Sequence, residues 1–234
     1  IRDSVEGETL GQRVRLVGAV PIDEAQQLAR ELLLGLSAAH DAGILHRDFK
    51  SDNVMLRRNA VTPDAVIMDF GLSRIQGQQS RMRTSERRQF AGTLPYMSVE
   101  QLECRDDLGP ATDVYAFGIV LYEMLTRALP FEGDSLGAVL LKQLKERATP
   151  PSRHVPGLAP ALDRFVLKCL HSNPRLRYAD AGQALRSLKS IGPWSRPQGA
   201  RRHWKTALSI GVGVGLAALI ATSALRRTPV SLSL

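Results

Sequence analysis

The stretch HRDFKSDN, His46 to Asn53, concentrates residue types that can exchange protons and bind ions. It holds a histidine, two cations, two carboxylates and an amide within eight residues. Arg, Lys, Asp, Ser and Asn are also ordinary loop residues, and most clusters of this kind are solvated turns. The stretch is therefore either a catalytic loop or a charged surface turn, and the elements around it must decide between the two.

The loop lies between a predicted helix and two predicted strands. Apolar residues at helical spacing, followed by a glycine, predict a helix from Asp23 to Asp41. NVML and AVIMDF are short apolar strands joined by a turn-rich segment, RRNAVTPD. Asn53 therefore opens one strand and Asp69 closes the other, so that Asp48, Asn53 and Asp69 lie where the ends of the elements can converge.

Four more helices are predicted beyond an Arg-rich polar loop, Gln76 to Gln89. They cover Asp113 to Thr126, Ser135 to Glu146, Ala161 to His171 and Ala179 to Lys189. The first is apolar around nearly its whole circumference, which indicates a helix buried on all sides. Asp134 is the expected N-cap of the second. The predicted fold class is mainly α with a small β-hairpin region.

A segment without formal charges, TALSIGVGVGLAALIATSAL, runs from Thr206 to Leu225. As a helix it would reach about 30 Å, which is enough to cross a hydrocarbon core. Trp204 and the flanking basic residues suit a membrane boundary, so a single transmembrane helix is favoured over a buried soluble helix. Residues 192–205 would be a basic juxtamembrane linker and residues 226–234 a short tail. Gly211 and Gly215 form a G-x-x-x-G pair that is compatible with a homodimer.

The net charge of +8 does not indicate a nucleic-acid partner. From Ile191 onward the chain has six basic residues and no acidic one, which leaves 25 basic and 23 acidic residues in the rest. Because the excess is confined to the tail, no nucleic-acid-binding surface is expected. Cys104 and Cys169 lack metal-ligand spacing and are expected to be reduced, mostly buried thiols.

Several motifs in order along the chain resemble those of the protein-kinase superfamily. HRDFKSDN matches the catalytic-loop pattern H-R-D-x-x-x-x-N, and DFG follows it at the expected distance. GTLPYMSVE resembles the end of an activation segment, with Ser98 and Val99 in place of the usual Ala-Pro. DVYAFGIVLYEMLT resembles the buried central helix, and NPRLR the late Asn/Asp-Pro-x-x-Arg motif. The resemblance implies that residues 1–191 are a protein-kinase-like C-lobe, as in bacterial eukaryotic-like Ser/Thr kinases.

This resemblance implies phosphoryl transfer from ATP. Asp48 would accept or orient the proton of the substrate hydroxyl, and Lys50 would contact the γ-phosphate. Asn53 and Asp69 would hold Mg²⁺, or Mn²⁺ in its place, because hard oxygen ligands suit these cations. Met55 would form the floor of the adenine pocket, with a core methionine as the alternative.

The acceptor class and the supporting residues follow from the same resemblance. Lys50 is the Ser/Thr-kinase choice, and Thr93 resembles the threonine that bridges this lysine and the catalytic Asp, so protein substrates with serine or threonine acceptors are expected. Glu100 and Arg177 match a pair that forms a buried salt bridge, and Asp113 matches the residue that holds the backbone of the catalytic loop.

Regulation by phosphorylation is a further expectation. Arg47, which follows His46 at the start of the loop motif, could pair with a phosphate on the activation segment. The candidate phosphorylation sites are Ser80, Thr84 and Ser85, and the alternative is a solvated basic loop.

The small N-lobe of the family is not found among the 234 residues, since its Gly-rich loop, strand lysine and helix glutamate do not appear. We therefore expect the sequence to represent a fragment, the C-lobe and membrane anchor of an active Ser/Thr protein kinase, with little activity alone. The alternative is a catalytically inactive, membrane-tethered kinase remnant that acts as a binding module. A small-molecule phosphotransferase is disfavoured by Arg47 and Lys50. Because ATP is cytosolic, the expected location is the cell membrane, single-pass, with the kinase lobe in the cytoplasm.

Overall fold

Helices make up most of the described structure, and a small sheet lies beside them. The computed structural model describes residues 7–57, 64–70, 92–133 and 135–195. The strands are β1 (Gly7–Thr9), β2 (Val54–Arg57) and β3 (Ala65–Ile67). The helices are α1 (Leu10–Leu16), α2 (Ile22–Asp41), α3 (Val99–Leu102), α4 (Pro110–Thr126), α5 (Leu136–Lys145), α6 (Pro160–Cys169) and α7 (Ala181–Ser190). The predicted fold class, mainly α with a small β region, is confirmed over these residues.

The three strands form an antiparallel sheet in the order β1-β2-β3. On the central strand, Met55 pairs with Thr9 of β1 and with Val66 of β3. Val54 and Leu56 are buried, whereas Met55 between them is partly exposed. Because side chains alternate between the two faces of a strand, Val54 and Leu56 face the core and Met55 faces the opposite side. The sequence predicted only a two-stranded hairpin, so β1 is an addition.

Helix α2 leads directly into the HRDFKSDN loop. It begins one residue before the predicted start and ends at Asp41 as predicted. Asp23 and Glu24 in its first turn suit the positive end of the helix dipole. Gly43, with a φ of 73°, follows the helix in the left-handed conformation that glycine adopts freely. The face of α2 that enters the core consists of Ala25, Leu28, Ala29, Leu32, Leu33 and Leu36.

Helix α4 forms the centre of the lobe. It packs against α2, α6 and α7, and every residue from Thr112 to Leu125 is buried. A Cβ on Gly118 would lie 2.7 Å from the Cβ of Cys169, so glycine permits the close approach of α4 and α6. The prediction of a helix buried on all sides is confirmed, although the helix begins at Pro110, three residues earlier than expected.

Helices α5 and α1 begin at N-caps that were not predicted from the sequence. Helix α5 is capped by Ser135 rather than by Asp134, because Ser135 has the extended backbone of an N-cap and its hydroxyl accepts a hydrogen bond from the first turn. Helix α1 was not predicted. It starts at a capping box in which Thr9 and Gln12 satisfy each other's backbone N–H groups.

The two cysteines differ in their exposure to solvent. Cys169 is buried, but Cys104 is exposed, since it lies on the turn after α3 with a φ of 53°. The expectation of mostly buried thiols is therefore wrong for Cys104.

Among the described residues, no helix is both long and apolar enough to cross a bilayer. The predicted transmembrane helix, residues 206–225, lies outside them, as do most of the linker and the whole tail.

Candidate active site

The HRDFKSDN loop connects α2 to β2 and ends in a single 3₁₀ turn, Ser51–Asn53. Lys50 lies near the middle of the loop, and the residue is 7% exposed. Its Nζ donates to Thr93 Oγ1 at 2.7 Å and lies 3.1 Å from Asp48 Oδ2. This cation therefore links the loop to the segment that precedes α3, and it compensates the charge of the Asp48 carboxylate, whose side chain is 22% exposed.

Asn53 binds the same carboxylate from the other side. Its Nδ2 donates to the Asp48 backbone carbonyl at 2.8 Å and approaches Asp48 Oδ2 at 3.3 Å. Because a carbonyl oxygen can only accept, these contacts fix which end of the Asn53 amide is nitrogen, and they leave Oδ1 as the atom that can bind a cation. The loop thus presents a carboxylate, an ammonium and an amide oxygen within one short stretch.

Asp69 is brought to this loop by the end of β3. The backbone N–H of Met68 donates to the Asn53 carbonyl at 2.8 Å, and Asp69 follows it, exposed and with a φ of 58°. One carboxylate and one amide oxygen fit Mg²⁺, which is commonly bound by one or two carboxylates together with substrate phosphates and water. In the described ranges, no cluster of three or more His, Cys, Asp or Glu side chains could hold a metal by itself.

His46 fastens the start of the loop to the same strand end. It is fully buried, and its Nε2 donates to the Met68 carbonyl at 2.9 Å. Its ring packs edge-on against Phe49, with the centroids 5.5 Å apart, and lies 4.7 Å from the ring of Phe70. His46 therefore sets the distance between the Asp48 loop and Asp69.

Asp113, at the start of α4, holds the loop backbone. Its Oδ2 accepts the His46 N–H and its Oδ1 accepts the Arg47 N–H, both at 2.8 Å. These bonds secure Arg47 at a φ of 63°, a conformation that residues other than glycine rarely adopt. His40 supports Asp113 in turn: Ala181 N–H donates to His40 Nδ1, so the proton is on Nε2, which donates to Asp113 Oδ2 at 3.0 Å.

Glu100 and Arg177 form a bidentate ion pair away from the loop. The two distances are 2.6 and 2.9 Å, and the side chains are 3% and 0% exposed. Burial favours a raised pKa for Glu100, but the hydrogen bonds and charge of Arg177 outweigh it, and the pKa is lowered. The Arg177 guanidinium also lies 4.7 Å above the Tyr115 ring. This pair ties α3 to the C-terminal part of the lobe.

A buried polar chain that the sequence did not indicate joins the loop to α4. Tyr96 donates to Glu123 Oε2 at 2.7 Å, and its oxygen lies 3.0 Å from Ser51 Oγ. Since the Tyr96 proton is used by Glu123, Ser51 is the donor to Tyr96. Burial raises the pKa of Glu123 and that of Tyr96. Nothing in the spacing of these residues could have linked them, because their contacts cross 27 and 45 positions.

The structure thus gathers Asp48, Lys50, Asn53 and Thr93 and places Asp69 next to them through Met68. Met55 lies on the partly exposed face of β2, on the strand that Asn53 precedes. The three candidate phosphorylation sites, Ser80, Thr84 and Ser85, lie outside the described residues.

The described residues form a helical lobe that presents this set of side chains at the end of a small sheet. This is the arrangement of the catalytic lobe of a protein kinase. The family model for the protein kinase domain matches residues 1–188, and the chain belongs to this family. The prediction of a bacterial-type serine/threonine protein kinase is therefore confirmed at the level of the family.

Curated relatives and solved structures of protein kinases are similar to this chain. Serine/threonine-protein kinase pkn3 of Myxococcus xanthus is 36% identical over 177 residues, covering 73% of this chain and 32% of the relative. Serine/threonine-protein kinase PknB of Mycobacterium leprae is 34% identical over 199 residues, covering 85% and 31%. The crystal structure of Rad53 1-466 in complex with AMP-PNP aligns with a TM-score of 0.64 and 26% identity, covering 78% of this chain and 44% of that one. The chain spans about a third of the length of these curated relatives.

Proposed function

We propose that this chain belongs to an enzyme that transfers the γ-phosphoryl group of ATP to serine or threonine hydroxyls of proteins. The observation that supports this most directly is the position of Lys50, whose Nζ lies 2.7 Å from Thr93 Oγ1 and 3.1 Å from Asp48 Oδ2. A binding module would not need a buried ammonium held between a carboxylate and a hydroxyl in this loop. A phosphotransferase needs such a cation next to its proton acceptor.

Each side chain of the loop has a distinct part in the proposed reaction. The Asp48 carboxylate orients the substrate hydroxyl and receives its proton as the oxygen bonds to the γ-phosphorus and ADP leaves. Lys50 stabilises the charge on the phosphoryl oxygens during the transfer. Thr93 keeps the Lys50 ammonium in place, since Oγ1 accepts its shortest hydrogen bond. Met55 on the partly exposed face of β2 contributes apolar surface beneath the adenine.

Asn53 and Asp69 would hold Mg²⁺ through the Asn53 Oδ1 and the Asp69 carboxylate, and Mn²⁺ has the same preference for hard oxygen ligands. When bound, the cation neutralises charge on the phosphate oxygens of ATP. The contribution of the chain is to keep these two oxygen donors at adjoining ends of β2 and β3, which the hydrogen bond from Met68 to Asn53 secures.

The test is phosphate transfer from radiolabelled ATP to a serine- and threonine-containing protein, measured on the protein as its gene encodes it. Asp48→Asn keeps the shape of the side chain but cannot accept the proton, so turnover should fall by at least about a hundredfold. Asp41→Asn is the matched control, because Asp41 is an exposed carboxylate at the end of α2, and its turnover should stay within about twofold.

Equal turnover of the Asp48→Asn variant and the wild type would contradict the proposal. Absence of transfer in both proteins would favour the inactive, membrane-tethered binding module. Label recovered on tyrosine after acid hydrolysis would contradict the proposed class of acceptor.

A further inference from the structure

The side chain of Gln101, on the short helix α3, reaches the catalytic loop. Its Nε2 donates to the Arg47 carbonyl oxygen at 2.7 Å. Its Oε1 accepts from the Ser98 N–H at 3.1 Å and lies 3.3 Å from Ser98 Oγ. A backbone carbonyl can only accept and a backbone N–H can only donate, so these partners fix the orientation of the amide.

The carbonyl that Gln101 binds belongs to the peptide bond between Arg47 and Asp48. The N–H of Arg47 is already held by Asp113 Oδ1 at 2.8 Å, and the φ of Arg47 is 63°. The left-handed conformation is unfavourable for a residue with a Cβ, so it persists only where neighbouring groups enforce it. Asp113 restrains the peptide plane before Arg47, and Gln101 restrains the plane after it.

Gln101 also lines the same surface depression as Asp48, the proposed proton acceptor. Arg47, Asp48, Thr93 and Gln101 line one shallow depression of the lobe. The peptide plane that Gln101 holds carries the N–H of Asp48, which points towards His46 Nδ1 at 3.4 Å. A rotation about the Cα–C bond of Arg47 would turn this plane and move the Cα of Asp48, and with it the carboxylate, relative to Lys50.

We propose that Gln101 is a positioning residue for Asp48. By fixing the Arg47–Asp48 peptide plane, it transmits the placement of α3 to the proton-accepting carboxylate. This inference rests on the proposed function, since it assigns to Gln101 the support of the residue that would receive the proton.

Two variants separate this role from the stability of α3. Gln101→Glu keeps an oxygen for the Ser98 N–H and places a negative charge at the helix start, where it is favourable, but it turns the donor to Arg47 into an acceptor. Ser98→Ala is the complementary control, because it removes a capping hydroxyl and leaves the contact with Arg47 intact. Only Gln101→Glu should lower kcat, by about fivefold, the rate equivalent of about 1 kcal/mol, while KM stays within about twofold.

A pair of backgrounds at position 47 tests the backbone mechanism. Arg47→Ala and Arg47→Gly both lack the guanidinium, but only glycine accepts a φ of 63° without strain. The loss of kcat caused by Gln101→Glu should therefore be larger in the alanine background than in the glycine background. Equal losses in the two backgrounds would contradict a role through the Arg47 conformation.

Amide hydrogen exchange of residues 46–50 provides a readout that does not depend on catalysis. Gln101→Glu should accelerate this exchange at an unchanged thermal midpoint, and Ser98→Ala should not. Unaltered kcat and exchange in Gln101→Glu, or the same changes in Ser98→Ala, would overturn the inference. If neither the wild type nor Asp48→Asn transfers phosphate, the proposed function fails, and the exchange measurement still decides whether Gln101 holds the loop.

Discussion

Replacing Glu100 by glutamine should lower the free energy of unfolding by about 3–5 kcal/mol, because it leaves a buried guanidinium without its counter-charge. All five N–H groups of Arg177 have acceptors in the native lobe. Two are the oxygens of Glu100, and the others are the backbone carbonyls of Ala111, His171 and Ser172. The pair is 3% and 0% exposed, so water cannot replace the lost carboxylate.

The reverse change, Arg177→Met, should cost at least as much. It removes both guanidinium donors of the Glu100 carboxylate, which keeps the bond from the hydroxyl of Thr112 at 3.1 Å, and it removes the donor of three backbone carbonyls. The double variant should lose less than the sum of the single losses, by about 1–3 kcal/mol, because the two side chains interact directly. Asp107→Asn is the matched control, since Arg105 and Asp107 form an equally short but exposed pair, at 2.6 Å, that should contribute little.

The pH dependence provides an independent check. Glu100 has a lowered pKa, so the ion pair stabilises the fold fully above the usual value of 4.5 and loses its effect as the pH falls through the lowered pKa. The difference in unfolding free energy between wild type and Glu100→Gln should therefore stay constant from about pH 8 to about pH 5 and shrink below about pH 4.

Urea unfolding, followed by tryptophan fluorescence, measures these differences, because Trp194 is 1% exposed in the native lobe. A loss below about 1 kcal/mol in Glu100→Gln would refute the view that the pair compensates two buried charges. A difference that persists unchanged to about pH 3 would show that the carboxylate charge is not the cause.

Two further predictions concern the support of the loop and the C-terminal segment. His40→Gln should keep more kinase activity than His40→Asn. The reason is that glutamine can place an N–H where His40 Nε2 donates to Asp113, whereas asparagine is too short. A higher kcat for the asparagine variant would contradict this prediction. If residues 206–225 cross the membrane with the kinase lobe in the cytoplasm, a tag after Leu234 should resist protease added from the cytoplasmic side, and its digestion there would contradict the orientation.

The sequence predicted the elements whose signal is local. Helix α2 and the buried helix α4 have clear apolar patterns, and the motif residues Asp48, Lys50 and Asn53 lie within one short loop. Helix α1 was missed because it has two turns and contains a glycine, yet its Thr9-x-x-Gln12 capping box was visible in the sequence.

A capping box was also visible in the sequence at Gln101, the residue that restrains the loop. Ser98-x-x-Gln101 is a capping box, and it overlaps the place where the family usually has Ala-Pro-Glu. This pattern indicates a helix start at which the glutamine side chain folds back towards the N-cap residue. It could not indicate the contact with Arg47, which is 54 positions away. His40 was beyond prediction for a similar reason, because its partners Asp113 and Ala181 lie 73 and 141 positions away.

Two residues next to the proposed chemistry, Arg47 and Asp69, adopt left-handed backbone conformations without being glycine, with φ values of 63° and 58°. Such conformations cost about 1–3 kcal/mol each and persist only where the surroundings determine them more than once. For Arg47 the two restraints are Asp113 and Gln101, from separate helices. The loss of one restraint should therefore leave the lobe folded and displace the Asp48 carboxylate, so that defects in this support are visible in kcat before they are visible in the unfolding free energy.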